Sequence, residues 1–484
     1  MKLREASSRV CAIGDDVLNQ MASLSRGLVR AVAGENASFE EVEILTLAIS
    51  QEVDRRRLQA ELQEVSDSFG ERVSIDGEVY VRHHEGEVGY HSLCGTLRVT
   101  RSTYRQTGVH NGPTVVPLDL ALGLIERGTP TMARVTALGY AKHDLRSVVE
   151  DLEASLRTPP SRATMERMAK AMAADALARI PVIERAVRLQ ERLPEGAHGI
   201  VVGLDRGSVP MAEERGPEQP PSTPRRVRSE PYERAVPTPI DVNWRMAPVA
   251  TVSIVDSKGD ALVTRKYAAT ATAGWAGIVK RATADVAAAL RERPDLHVGL
   301  VQDGAHELWT TARKALATVP AVVMLHEAVD RYHLSERLGS VLQLIEKDTT
   351  LRARRMTRWN DLLDTDPDGI DAIETEVIRA CRSLDAAGRD ALQEHVVYLA
   401  NNKDRMRYAT LRALGLPIGS GSTESGCNTL LNLRVKRNAE HWSVEGLEGV
   451  LTLRGVHQSE RFELFWKYFA RRHTSEVEPV PMAA

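Results

Sequence analysis

Two short apolar segments that each end in an aspartate constrain the fold most. HGIVVGLD at 198–205 and HVGLVQD at 297–303 are nearly continuous runs of Val, Ile, Leu and Gly, and they end in Asp205 and Asp303. Runs of this length are typical of buried strands in the middle of a sheet. A carboxylate beside an apolar sheet is costly unless something compensates its charge. The two segments therefore predict neighbouring strands of an α/β sheet, with both acids at one edge.

The chain around these segments alternates between strands and helices. Between the two acids, ATVSIVD and ALVTRKYAA flank a Ser-Lys-Gly-Asp turn, which predicts a hairpin, and 275–293 predicts a helix. After Asp303, AVVMLHE at 321–327 predicts a third strand, 335–410 is helical throughout, and the Gly/Ser-rich segment at 416–426 delivers Glu424. The fold class that this order predicts is an α/β core interrupted by an all-α insertion before its last acid.

A chain of 484 residues is too long for one ordinary core, so we expect several domains. Before the core we expect an N-terminal helical region at 1–70 with an amphipathic helix at 37–68, a small antiparallel β module at 71–115, and a helical region at 116–195 compatible with a helix-turn-helix DNA-binding motif. The core is expected in two parts, at 196–340 with a proline-rich loop at 211–245 and at 413–472, separated by the α-helical insertion at 341–412. A disordered tail is expected at 473–484.

Composition excludes several classes of protein. No apolar run approaches the length that crosses a bilayer and the first residues do not form a secretory signal, so we expect a cytoplasmic protein without a membrane partner. The four cysteines are far apart, and His83, His84, His91 and Cys94 lack regular ligand spacing, which argues against a disulfide framework and a zinc ribbon. Net charge is −3, so the chain is not basic overall, but its arginines are clustered. The clusters lie at 225–228, 352–358 and 434–437.

Asp205, Asp303 and Glu424 are the predicted catalytic and metal-binding residues. In-line attack on a phosphodiester uses two divalent cations ~3.5–4 Å apart, and Mg²⁺ prefers carboxylate oxygens. Each acid alone also fits a local role, since an Asp-Gly after a strand is often a turn and Glu424 could cap a helix. Their order and the predicted topology together favour a site holding two Mg²⁺ or Mn²⁺ ions. Asp330 is the main rival for a place in this triad.

Four segments carry a resemblance to a known family. They are VVGLDRGSVPM at 201–211, VGLVQDGAHELW at 298–309, VDRYHLSERL at 329–338 and LPIGSGSTESGCNTLLNLRVKRNAEHWSVEGLEGVLTLR at 416–454. They resemble the insertion-sequence transposases of the ISKra group, and the similarity covers most of 85–470. The last segment is the most specific, because it combines Ile-Gly-Ser-Gly, the glutamate, an Arg-x-Lys pair and a later Trp. The chain departs from the family in having only Cys94 near 90–115, where relatives often have more cysteines.

The resemblance implies a fold and a function. It implies an RNase H-like core and a DNA transposase of the DDE type, whose triad falls on Asp205, Asp303 and Glu424. Its partners would be the terminal inverted repeats of its element, target DNA, and further copies of itself in a homo-oligomer associated with the bacterial nucleoid. The family's Arg-x-Lys pair falls on Arg434 and Lys436. With Arg437 from the same basic cluster and His333, whose Asp-x-x-His pattern relatives share, this pair makes up the predicted DNA-binding residues.

Two other functions fit the same residues. One is a catalytically inactive DNA-binding protein that keeps a transposase fold, although the intact acids speak against it. The other is an RNase H-like nuclease that cuts DNA without rejoining it.

Overall fold

The computed structural model describes residues 13–34, 36–215, 239–303, 305–437 and 440–481. The chain divides into two compact units, Met1–Met172 with Trp466–Ala484, and Ala173–Phe465. It is a mixed α/β protein with two five-stranded sheets, one in each unit, which agrees with the predicted class. No helix in the described part of the chain is long and apolar enough to cross a membrane.

The first unit is built on the sheet with strand order β10-β1-β2-β3-β4, in which every neighbouring pair is antiparallel. Its strands are β1 Arg72–Ile75, β2 Glu78–Ser92, β3 Gly95–Gln106, β4 Thr114–Val115 and β10 Val477–Pro479. Its helices are α1 Asp15–Ala33, α2 Phe39–Ser68, α3 Pro117–Leu122, α4 Pro130–Lys142 and α5 Leu145–Ala154. The helix predicted at 37–68 is confirmed as α2, which begins with a capping box between Ser38 and Glu41.

The C-terminal segment differs from its prediction. The tail predicted to be disordered at 473–484 contains β10, whose Val477 pairs with Ile75 and whose Pro479 pairs with Val73 of β1. Three residues are too few to produce a visible strand pattern, and their partner lies some four hundred positions earlier in the chain. The prediction was wrong because this strand is defined by its partner and not by its own periodicity.

The second unit is built on the sheet with strand order β7-β6-β5-β8-β9. Its strands are β5 Gly199–Glu214, β6 Ile240–Val255, β7 Ala261–Ala268, β8 His297–Gln302 and β9 Leu325–Val329. β5, β6 and β7 form an antiparallel meander, while β8 and β9 run parallel to β5. The two strands that the sequence singled out, β5 and β8, are adjacent in this sheet and contribute Ile200, Leu204 and Leu300 to its core. This confirms the hairpin, the order of the elements and the pairing of the first two predicted strands, although β5 does not end at Asp205 as predicted but continues to Glu214.

The helices from residue 162 onward are α6 Arg162–Gln190, α7 Trp275–Glu292, α8 His306–Leu316, α9 Arg331–Ile345, α10 Thr349–Thr365, α11 Gly369–Cys381, α12 Ala386–Asn402, α13 Tyr408–Ala413, α14 Gly421–Cys427, α15 Leu433–Val435, α16 Val444–Gln458 and α17 Phe462–Arg471. Of these, α6 and α17 each contain residues of both units. Single turns of 3₁₀ helix at Lys403–Arg405 and of π helix at Asn428–Asn432 interrupt them. The helical block predicted at 335–410 is confirmed as α9 to α13.

Two boundaries in the second unit differ from the predictions. The third strand is not 321–327 but β9, because Val323 is 94% exposed and leaves the sheet. The apolar Val-Val-Met run indicated a strand that tertiary packing does not use. The loop predicted at 211–245 is narrower than predicted, because β5 and β6 pair out to Glu214 and Ile240. Most of its prolines lie at 216–238, outside the described residues.

Candidate active site

Three aspartates stand at the same level of three neighbouring parallel strands. Val202 of β5 pairs with Leu300 of β8, so Asp205 and Asp303, each three residues further on, lie level with one another. Gln302 pairs with Val329 of β9, which makes Asp330 level with Asp303 in the same way. Adjacent strands lie about 4.8 Å apart. Asp303 and Asp330 therefore follow the carboxyl ends of β8 and β9, level with Asp205, which lies within β5 because that strand continues to Glu214.

Glu424 reaches this group on α14, which packs directly on the sheet. A Cβ at Gly203 of β5 would lie 1.9 Å from Oγ1 of Thr423, and one at Gly426 would lie 2.7 Å from Thr251 of β6. The buried hydroxyls of Thr251 and Thr423 are 2.9 Å apart and share a hydrogen bond. Glycines at both positions thus allow the helix to sit closer to the strands than any side chain would permit. This contact fixes the position of Glu424 over β5 and β6.

Asp205 is half-buried and is held from both sides. One of its oxygens accepts a hydrogen bond from the Arg206 amide at 2.7 Å, and the other accepts one from the Cys427 thiol at 3.2 Å. Burial and the charge of Asp205 raise the pKa of Cys427, so the thiol keeps the proton that it donates. Cys427 is one helical turn after Glu424 on α14. The same short helix therefore carries Glu424 and contacts Asp205.

Asp330, His333 and Glu424 form a cluster that could hold a metal ion. Each offers a ligand atom, and these atoms all lie within 4.8 Å of one another. Asp330 caps α9 by accepting from the His333 amide at 2.8 Å, and it also accepts from His333 Nδ1 at 3.0 Å and from the Ser420 amide at 2.5 Å. The Ser420 hydroxyl donates to Glu424 at 3.1 Å. The Gly/Ser-rich segment before α14 is thus tied to the end of β9.

The protonation states of this cluster follow from its contacts. Burial alone would raise the pKa of Asp330, but the donors at Ser420 and His333 outweigh burial and lower it. Burial alone would lower the pKa of His333, but its hydrogen bond with Asp330 and the charges of Asp330 and Asp303 raise it. Asp303 itself accepts from the Ala305 amide at 3.1 Å before α8 begins. The cluster therefore keeps Asp330 ionised, and Asp303 is close enough for its charge to contribute to the raised pKa of His333.

The donor set fits divalent cations. Carboxylate oxygens are the ligands that Mg²⁺ and Mn²⁺ prefer, and an imidazole nitrogen is also acceptable to Mn²⁺. Asp330 and Glu424 line an open pocket of about 660 Å³, whose wall also carries Tyr332, Arg331 and Arg412. Acids grouped beside a pocket of this size can bind cations while a larger anionic molecule lies against them.

The predicted DNA-binding residues occupy different environments. Arg434 is only 1% exposed, and its guanidinium lies 3.5 Å from Glu440 and over the ring of Trp442. Burial holds this arginine inside the protein, so we correct its predicted role from a DNA contact to a support for the segment after α14. Lys436 and Arg437 are half-buried. His333 is 44% exposed and faces Asp330.

Other basic residues predicted as clusters are also partly engaged. Arg358 and Arg355 on α10 form ion pairs with Glu376. The arginines at 225–228 lie outside the described residues. In the third cluster, the charge of Lys436 acts on Cys427, whose thiol contacts Asp205. Lys436 therefore lies near one of the acids of the site.

Sequence reasoning did not find two contributors to this site, Ser420 and Cys427, and it ranked a third, Asp330, below the proposed triad. Ser420 and Cys427 act through a backbone amide and a thiol whose partners are distant in sequence. Asp330 was named from the sequence as the main rival and ranked second because it follows Asp303 closely in the chain, whereas the structure places it directly after β9. The Asp-x-x-His spacing was a usable signal, since a helix N-cap and the residue three positions later are neighbours.

No family model matches the chain, and no curated protein matches its sequence.

Proposed function

We propose that this chain is a DNA transposase of the DDE type with an RNase H-like catalytic core. It would bind the ends of its own mobile element, cleave DNA strands by hydrolysis and transfer the freed 3′ ends to target DNA. The observation that carries the proposal is the common level of Asp205, Asp303 and Asp330 on three adjacent strands, with Glu424 packed over β5 by α14.

The sheet topology supports the choice of core. An antiparallel meander of three strands followed by two strands parallel to the first, in the order β7-β6-β5-β8-β9, is the arrangement expected for an RNase H-like fold. The helical block α9–α13 lies between β9 and the helix that carries Glu424, as an insertion before the last acid requires.

The proposed ligands are Asp205, Asp303 and Glu424, with Asp330 and His333 beside them. Two bound Mg²⁺ or Mn²⁺ ions would supply activation of the attacking oxygen and stabilisation of the leaving oxygen. The protein's own contribution is to fix the ligands before DNA arrives. Cys427 and the Arg206 amide orient Asp205, and Ser420 orients both Asp330 and Glu424. Such preorganisation lowers the cost of bringing the reacting groups together.

DNA would be held by charge around the acids. Lys436 and Arg437 follow α15, Lys436 lies close enough to Cys427 for its charge to act on that thiol, and the two residues are the proposed phosphate contacts. Arg434, Arg437 and Arg454 lie near one another, as burial and the charges of Arg434 and Arg437 lower the pKa of Arg454 to about 10. A basic region next to an acidic one suits a phosphodiester that must lie against bound cations.

The test is cleavage and strand transfer on DNA that carries the sequences flanking the reading frame, with Mg²⁺ or Mn²⁺ present. We expect Asp205→Ala and Glu424→Gln to abolish both products and to weaken Mn²⁺ binding measured by electron paramagnetic resonance. Glu394→Gln is the matched control, because Glu394 is an exposed acid on α12 that forms an ion pair with Arg337. It should leave both measurements unchanged.

The products separate the alternatives. Full activity in Asp205→Ala or Glu424→Gln would refute the assignment of the triad. Cleavage without joined products would favour a nuclease, and DNA binding without carboxylate-dependent Mn²⁺ binding would favour an inactive DNA-binding protein.

A further inference from the structure

The outer half of β6 is an unusual surface. Ile240, Val242, Trp244 and Met246 alternate along it and are 40%, 49%, 60% and 50% exposed. Alternate residues of a strand lie on one face of the sheet, so these four side chains form a continuous apolar stripe. Trp244 is among the largest apolar side chains of the chain, and a stripe of this kind marks an interaction site.

This half of β6 is also an open strand edge. β6 pairs with β5 along its whole length, but its pairing with β7 ends at Val249. Among the described residues, no strand pairs with the other edge of β6 between Ile240 and Ala247. An exposed, apolar edge strand is a template for pairing with another chain.

The direction of the free backbone groups can be read from β5. The Ala212 amide donates to Trp442 at 2.8 Å, and the Trp442 amide donates to Pro210 at 3.1 Å. The amide and carbonyl groups of even-numbered residues in this part of β5 therefore point away from β6. Because residues of an antiparallel pair alternate between inward and outward hydrogen bonding, the even-numbered groups of β6 point to its free edge. These groups belong to the same residues that form the apolar stripe.

We infer that the outer half of β6 pairs, antiparallel, with the same strand of a second copy of this chain. Two copies related by a two-fold axis offer each other the same edge, so the contact closes on itself. With Asn243 opposite Asn243 of the other copy, Val242 lies opposite Trp244 and Ile240 opposite Met246. Both pairs are apolar, and both use the outward-pointing backbone groups.

Charge selects this register. It places Asp241 opposite Arg245 of the other copy, so opposite charges meet at the positions where cross-strand side chains approach most closely. Within one copy, Asp241 pairs with Arg215 at 2.7 Å and Arg245 with Glu213 at 2.6 Å, so a contact between Asp241 and Arg245 of two copies would join these ion pairs into one network. A shift of the two-fold axis by one residue in either direction would lose these opposite-charge pairs.

The pairing is independent of the proposed chemistry, since it requires neither DNA nor metal. It has a functional consequence if the transposase proposal holds. β5 carries Asp205 and pairs residue for residue with β6. A β6 contact would therefore join two catalytic sheets, one for each end of a mobile element.

The test uses the full-length chain without DNA. Sedimentation should give a dimer, and Val242→Pro should halve the particle mass, because proline removes an outward amide and leaves the bonds to β5 intact. Unchanged thermal unfolding of the monomeric fold would show that the variant still folds. A wild-type monomer would overturn the inference, and so would an unaffected dimer in Val242→Pro. The monomer would instead favour coverage of this edge by another segment of the same chain.

Cysteine cross-linking tests the register. Asn243→Cys should form an intermolecular disulfide, since facing residues at a non-hydrogen-bonded position are close enough for one. Asp241→Cys alone should cross-link no more than wild type, whose native cysteines set the background, whereas a mixture of Asp241→Cys and Arg245→Cys chains should cross-link. Equal cross-linking of Asp241→Cys with itself, or none at Asn243→Cys, would overturn the proposed pairing.

Discussion

Replacing Gly203 by alanine tests whether the contact between α14 and β5 positions the site. The new Cβ would lie 1.9 Å from Oγ1 of Thr423, whereas real Cβ atoms are rarely found closer than 3.0 Å to another heavy atom. The separation must therefore open by about 1.1 Å, either by movement of α14 or by rotation of Thr423, which breaks its hydrogen bond with Thr251. Glu424 is the residue immediately after Thr423, so a displaced helix also displaces this carboxylate.

The expected magnitude follows from this displacement. Overpacking of a buried contact costs about 1–3 kcal/mol of unfolding free energy. A misplacement of about 1 Å in a reacting group can reduce the rate about 100-fold. We therefore expect Gly203→Ala to lower the denaturation midpoint moderately and to reduce strand cleavage and Mn²⁺ binding strongly. Urea unfolding, Mn²⁺ titration and the cleavage assay measure the three effects on one preparation.

A second substitution and a control make the result interpretable. Thr423→Ala removes the clashing oxygen. Adding Gly203→Ala to the Thr423→Ala variant should therefore lower stability and cleavage much less than Gly203→Ala does in the wild-type chain. Gly339→Ala, on α9 where a Cβ meets nothing within 4 Å, should be neutral or slightly stabilising. Wild-type stability and cleavage in Gly203→Ala would refute the reasoning that close approach of α14 sets the position of Glu424.

Three further predictions concern stability and DNA binding. Burial opposes ionisation of Asp285, but Arg461 and Arg188 lower its pKa from 3.8 to about 2. The ionised carboxylate therefore adds about 2 kcal/mol to the free energy of unfolding above pH ~4, and this contribution is lost as the pH falls through about 2. Asp285→Asn should cost about 3–5 kcal/mol at pH 7, and its deficit against wild type in urea unfolding should shrink below pH ~4; a constant deficit would contradict this. Arg434→Ala should lower the free energy of unfolding by about 3 kcal/mol through loss of a buried ionic contact. Lys436→Ala should keep the melting temperature and reduce the slope of log DNA affinity against log salt concentration by about one. The opposite pattern would make Arg434 the DNA contact. Removing residues 476–484 deletes β10 and should destabilise the first unit, as hydrogen exchange of the β1 amides would reveal; unchanged exchange would show that β10 is dispensable.

The strands that carry chemistry were the most predictable part of this fold. β8 and the first half of β5 are continuous apolar runs followed by an acid, and such runs are specific because both faces of the strand are buried there. The long helix α2 and the helical block were equally accessible, since helix periodicity is local. The positions of Asp205 and Asp303 on neighbouring strands could be predicted from the sequence for this reason.

The remaining features depend on contacts between distant residues. β9 and β10 are short, so their positions are decided by the neighbouring strand and not by their own residues. Arg434 looked like a surface cation because its spacing to Lys436 is the same whether its side chain points outward or into the core. Its burial is set by Trp442 and Glu440, which the sequence does not reveal as partners.

Hydrogen-bond capacity decides between Asp303 and Asp330 as the third metal ligand. An ionised carboxylate has about four lone-pair sites. Asp330 uses three of them for the His333 amide, His333 Nδ1 and the Ser420 amide, whereas Asp303 uses one for the Ala305 amide. Asp330 is thus largely committed to joining β9, α9 and the segment before α14, and Asp303 keeps the oxygens that a cation needs. Asp303→Asn should therefore abolish Mn²⁺ binding and cleavage with little loss of melting temperature. Asp330→Asn should lower the melting temperature and reduce Mn²⁺ affinity only in part, and the reverse pattern would make Asp330 the ligand.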